Sequence, residues 1–235
     1  MQGIVFIGER KLELQHFDDP TPGPGEVVLE IKASGMCGSD LKFYRSPPGV
    51  MMKALGFKAG ATVIAGHEPC GVVVAIGANV NPKQARIGQR VMVHHYRGCG
   101  ACPHCSTGWM QMCVEGVAEV YGVTGHGAHA KYMKCPATTL VGLPDELSFE
   151  TGAAIACGTG TAWGALQRLE LTGDQTIAIF GQGPSACRPR NSPVRWVRAS
   201  SRSISAPTGW RAPKPSAPPM SSTRWKPTRS PRFAN

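Results

Sequence analysis

Residues 184–235 contain no aspartate and no glutamate, yet they hold 11 lysines and arginines and 10 of the chain's 20 prolines. Residues 1–183 are left with 14 basic and 15 acidic side chains, so the formal charge of +10 lies entirely in the last fifth of the sequence. A basic total of this kind does not make the whole chain a nucleic-acid binder by charge. The prolines exclude a long helix from the tail. Also absent is any run approaching the ~20 apolar residues of a membrane span. The opening MQGIVFIGERKLEL is a short apolar run followed by charge, unlike a secretory leader. No internal repeat is visible. These absences give the expectation of a soluble cytoplasmic protein with no membrane partner. Its nine cysteines then serve metal or thiol chemistry in a reducing compartment rather than a disulfide framework.

The first 145 residues read as short strands between turns. Ile4–Ile7, Leu12–His16, Val27–Ala33, Gly71–Ile76 and Arg90–His94 are β-branched or alternating runs, bounded by PTPGPGE and GANVNP. A β-rich domain of small sheets follows from this pattern. Ser148, with Glu146 and Glu150 beside it, starts a helix. A second helix over Ala162–Leu169 follows a break at Gly158 and Gly160. Asp174 precedes a buried strand, Thr176–Phe180, which runs into GQGP. Gly181 and Gly183 there supply the first glycines of a dinucleotide-binding turn, and Ala186 stands where the third belongs. The rest of that fingerprint is missing. From Arg188 onward there is no helical period, no second hydrophobic strand and no acid for a ribose.

Two sets of residues carry chemistry. Cys99, Cys102, Cys105 and Cys113 are spaced C-x2-C-x2-C-x7-C, with Gly98, Gly100 and Pro103 to bend the chain. Four thiolates so close suit a tetrahedral zinc ion, closed to substrate and structural in role. An iron–sulfur cluster and redox thiols are the competing readings, but the spacing differs from ferredoxin runs. His104 reads as a loop side chain. The second set is dispersed: Cys37 in SGMCGSD, His67 in AGHEPCG and Cys157 in IACGTGT. Alone, each reads as an ordinary buried residue. Together they form the Cys/His/Cys combination that leaves zinc a fourth position for water or substrate.

Residues 1–183 resemble the zinc-containing medium-chain alcohol dehydrogenase superfamily. The resemblance lies in GEVVLEIKASGMCGSD, AGHEPCGVVVAIG, GQRVMVHH, the four-cysteine lobe, ACGTGTAWGAL and IAIFGQGP, in that order. It implies a β-rich GroES-like N-terminal domain followed by the start of an α/β Rossmann domain, with a mostly disordered C-terminal tail. The boundaries are 1–146 for the zinc domain, 147–183 for connecting helices and the first Rossmann strand, and 184–235 for the tail. It also implies hydride transfer between an alcohol or polyol and NAD(P), with one catalytic and one structural Zn²⁺. Cys37, His67 and Cys157 match the catalytic ligands, and Glu68 the acidic neighbour of the histidine. Ser39 matches the hydroxyl that takes the alcohol proton, Asp40 a supporting carboxylate, and Thr161 a residue beside the nicotinamide. Gly181 and Gly183 match cofactor contacts. Relatives form homo-oligomers through the nucleotide domain, of which this chain carries only a strand and a turn. Lys42 replaces the histidine with which many relatives relay the proton. Cys157 stands where some sugar-alcohol and threonine dehydrogenases use glutamate. Cys70, Cys135 and Cys187 match no ligand and read as ordinary buried or loop cysteines. His126 and His129 read as structural, and His94 and His95 carry no assignment.

Three readings of the tail stand side by side. A reading-frame slip near Pro184–Ser185 is one: restoring one base yields a G-x-G-x-x-G turn, an apolar helix and a second strand that carries an Asp. A basic arm that binds nucleic acid non-specifically is another. An inert disordered extension is the third. For the whole chain the alternatives to a dehydrogenase are an inactive zinc-binding GroES-like fragment and a basic-tailed nucleic-acid-binding zinc protein.

Overall fold

Period-two alternation divides the strand side chains between two cores. The computed structural model describes residues 1–57, 62–116 and 119–170, together with the backbone of two later strands. The chain begins with a hairpin, β1 (Gln2–Gly8) and β2 (Lys11–His16), then β3 (Glu26–Gly35) and the helices α1 (Gly38–Arg45) and α2 (Val50–Ala54). There follow β4 (Glu68–Ile76), β5 (Arg90–Val93), β6 (Tyr96–Arg97), the one-turn helix α3 (Pro103–Ser106), β7 (Glu119–Val120), β8 (Tyr132–Pro136) and β9 (Leu140–Gly142). Helices α4 (Phe149–Ala154) and α5 (Gly160–Leu169) precede the strands β10 (Thr176–Phe180) and β11 (Arg195–Ala199).

Strands β8-β3-β4-β5-β9 form one antiparallel sheet in that order. On β5, Val91 and Val93 enter the larger core with Val27, Leu29, Val73, Tyr121 and Met133. Met92, between them, faces the smaller core with Cys70, Leu143 and Ala153. Helix α4 closes this second face. A Cβ on Gly152 would lie 2.5 Å from Cys70 Sγ, so only glycine permits this approach of helix to sheet. All five strands expected in the first 145 residues are present, and Cys70 and Cys135 are buried in the two cores.

Two expectations are corrected. Gly158 and Gly160 do not break the helix. A π-helical turn, Ile155–Thr159, joins α4 to α5 in one helical path, and Thr159 Oγ1 donates to Ala154 O at 3.4 Å within it. The wider turn accommodates an extra residue without ending the helix. The backbone after Phe180 also contains a second strand: β11 pairs in parallel with β10, from Thr176↔Arg195 to Phe180↔Ala199. Tryptophan and valine in RWVRA have the β preference that a search for a longer hydrophobic run passes over. The remainder of 184–235, with Cys187, lies outside the described residues.

Candidate functional site

The four-cysteine lobe hangs between β6 and β7. The sulfurs of Cys99, Cys102, Cys105 and Cys113 all lie within 4.8 Å of one another. Cys99 and Cys105 are 3.9 Å apart, and Cys102 and Cys113 4.0 Å. Sulfurs at ~2.3 Å from a common centre define a tetrahedron with edges of about 3.8 Å, so this donor set fits a zinc-sized cation. A Cβ on Gly98 would collide with Cys105 Sγ, which explains the glycine ahead of the first thiol. The N–H groups of Ala101 and Cys102 point at Cys99 Sγ at 3.5 and 3.3 Å. Such amide contacts lower the pKa of Cys99, and likewise that of Cys102 to about 6. His104 stays outside the set and is exposed.

The second set is assembled from distant elements. Cys37 caps α1: Ser39 N–H points at its sulfur at 3.3 Å, and its own N–H donates to Asp40 Oδ2 at 2.8 Å. The other Asp40 oxygen accepts from His67 Nδ1 at 3.1 Å. Asp40 is 2% and His67 6% exposed, so this pair is sealed from water. With Nδ1 committed to the carboxylate, His67 presents Nε2 to Cys37 Sγ at 3.1 Å and to Ser39 Oγ at 3.5 Å. The π-helical turn brings Cys157, and the first residue of β4 brings Glu68. Donor atoms of Cys37, His67, Glu68 and Cys157 all lie within 4.8 Å. Two thiols, an imidazole and a carboxylate suit a zinc ion with a position to spare.

The charges are set by mutual hydrogen bonds. A hydrogen bond from Cys157 holds Cys37 well below the ordinary thiol range, and the same bond pushes Cys157 up. Burial alone would lower His67, but Asp40 and Cys37 together outweigh it and raise the imidazole to about 10. Burial raises Glu68, and the nearby Cys37 adds to the shift. Thr161 is exposed and lies in the first turn of α5, four residues after Cys157. Gly181 and Gly183 lie outside the described residues. The ring of His95, unassigned from sequence, stands 5.1 Å from His67 and is buried. Burial drives its pKa down to about 3, so it is neutral. Its signal in the sequence was position: it closes the run GQRVMVHH, whose strand ends at the site. His126 accepts from Ile64 N–H at 3.1 Å and His129 pairs with Ser34 Oγ at 2.8 Å, both structural roles.

Residues 23–145 match the model of the alcohol dehydrogenase GroES-like domain. The chain belongs to that family, within the zinc-containing medium-chain alcohol dehydrogenases. It is 38% identical over 190 residues to an uncharacterized zinc-type alcohol dehydrogenase-like protein of Escherichia coli, covering 78% of this chain and 52% of that one. It is 30% identical over 184 residues to sorbitol dehydrogenase of Bacillus subtilis, with 78% and 50% covered. Among solved structures, a cobalt- and zinc-bound thermostable alcohol dehydrogenase from Pyrobaculum aerophilum superposes with a TM-score of 0.67 at 29% identity, over 80% of this chain and 54% of that one. Acetophenone reductase from Geotrichum candidum, solved with NAD, gives 0.64 at 30%, over 77% and 50%. The chain thus spans about half the length of the relatives it matches. Among the described residues no helix is long and apolar enough to cross a membrane.

Proposed function

We propose that this chain is the metal-binding half of a zinc-dependent oxidoreductase of the alcohol dehydrogenase type, acting on an alcohol or polyol with NAD(P). The observation that carries the reading is the Asp40–His67–Cys37 arrangement, which aims an imidazole nitrogen and a thiolate at one point. Cys37, His67 and Cys157 would hold the accessible zinc, with Glu68 beside them, and the four-cysteine lobe a second, sealed one. Zinc in the accessible set supplies a Lewis acid that lowers the pKa of an alcohol. Asp40 fixes the His67 tautomer. Ser39 Oγ, 2.8 Å from Cys37 Sγ, is the hydroxyl placed to accept a substrate proton. Lys42 is exposed on α1 and leaves that proton a path to water rather than a histidine relay.

The dinucleotide finds less here. Thr161 would stand beside the nicotinamide, but no acid follows Asp174 to hold a ribose. A second reading, a zinc-binding GroES-like module without turnover, is favoured by that lack. Metal analysis with NADH fluorescence separates the two. Two zinc equivalents with cofactor binding support the first reading, and zinc without cofactor supports the second. No zinc at all overturns both. For residues 184–235 the frame slip is the origin we favour, and an intact reading frame in the coding DNA across Gly183 would overturn it. The basic tail would bind polyanions non-specifically, and salt or truncation after Gly183 should abolish that binding.

A further inference from the structure

One side chain links the two thiol sets. Trp109 lies in the lobe between Cys105 and Cys113, and its backbone is tied to the lobe on both sides. Its N–H donates to His104 O, and its carbonyl accepts from Met112 N–H, both at 2.8 Å. The indole extends out of the lobe onto α5. A Cβ on Gly164 would lie 3.5 Å from Trp109 Cζ3, so the glycine's face of the helix is covered at van der Waals distance. The Arg168 guanidinium carbon stands 5.4 Å from the ring centroid. Gly164 and Arg168 are four residues apart and share one helix face. Upstream, α5 begins with Gly160 and Thr161 and runs without a break from the turn that carries Cys157.

We infer that Trp109 is a positioning residue that couples ion binding in the four-cysteine lobe to the placement of Cys157 and Thr161 at the accessible set. The inference rests on the two-ion reading above. Among the described residues no residue of 99–113 belongs to either core, so an ion orders the loop that presents the indole. An ordered indole braces α5, and a braced α5 leaves less freedom to be lost when Cys157 binds an ion. The coupling is reciprocal, so an ion at the accessible set tightens the lobe by the same factor.

Co²⁺ titration of the full chain tests this, because four-sulfur and two-sulfur-plus-imidazole sets give different visible absorption. A Cys157→Ser variant supplies the reference spectrum of the lobe alone. In Trp109→Ala the lobe should fill as in the unsubstituted chain, while affinity at the accessible set falls on the order of tenfold. Trp109→Phe, which keeps a ring over Gly164, should restore most of the loss. Emptying the lobe with Cys102→Ser and Cys105→Ser should weaken the accessible set similarly, and adding Trp109→Ala should then cost nothing more. Unchanged affinity at the accessible set of Trp109→Ala, with both ions bound, overturns the coupling and leaves the two-ion reading intact. Loss of the lobe's own ion in both Trp109 variants also overturns it, since the residue would then belong to the lobe's fold. Uptake of fewer than two ions by the unsubstituted chain overturns the two-ion reading and the coupling with it.

Discussion

The lobe and the accessible set solve the same problem in opposite ways. Residues 99–113 bring four sulfurs together within one loop, through short spacing and a glycine that makes room. Cys37, His67 and Cys157 are separated by 30 and 90 residues and meet only because a helix start, a strand start and a π-helical turn converge. The local set draws its geometry from the spacing and turns of that loop. The dispersed set has a geometry that the sheet, the buried Asp40 and the α4–α5 path already supply.

The largest test is metal removal. Structural zinc in small loops is worth on the order of 10 kcal/mol in apparent free energy. Chelation should therefore open residues 97–116 to hydrogen exchange and proteolysis. The amides of β3, β4 and α1 around the accessible set should stay protected. Equal loss of protection in both regions would break the contrast.

Thiol labelling sharpens it next. Burial raises the Cys135 thiol to about 12, and Cys70 to about 11. The thiolate is the nucleophile, and each pKa unit is tenfold in its fraction. At pH 8 the thiolate fraction of Cys135 is then about a thousandfold below that of an ordinary thiol. After chelation, mass spectrometry should find alkylation at Cys99 and Cys102 of the lobe first. Cys70 and Cys135 should label only on global unfolding, and early labelling at Cys135 would contradict the burial assigned to it.

Asp40→Asn comes third. It keeps the shape of the side chain but weakens the acceptor that fixes His67. Loss of a partner behind a metal-binding histidine typically costs about 10–100-fold in metal affinity. The loss should appear at the accessible set, while the lobe still takes up its own ion and changes only through the coupling carried by Trp109.

What could be read from sequence follows the same division. The lobe was legible because its chemistry is in its spacing. Cys37, His67 and Cys157 are unreadable as one set from spacing; the ordered resemblance of six motifs brought them together. The strands of β3 and β5 were visible in their alternation. The π-helical turn was not, because Gly158 and Gly160 look like a helix break until tertiary packing holds the path together. His95 went unassigned because a second consecutive histidine carries no period, and only the fold sets its ring against His67. β11 was missed because its pairing with β10 outweighs a weak hydrophobic pattern.

The smallest test concerns the path that delivers Cys157. Ser148 Oγ accepts from Thr151 N–H at 3.2 Å and caps α4, nine residues ahead of the thiol. Removing such a cap typically costs about 1 kcal/mol. Gly152 and Ala153 pack α4 against Cys70 and Leu143, so Ser148→Ala frays the first turn without releasing the helix from the sheet. Thermal melting should therefore show a loss of about 1 kcal/mol, and Co²⁺ affinity at the accessible set should fall by less than in Asp40→Asn. The lobe should not respond through its own donors, since none lies on α4. A loss at the accessible set as large as that of Asp40→Asn would mean that the cap, rather than the packing of α4 on the sheet, holds Cys157 in place, and the dispersed set would then depend on local structure much as the lobe does.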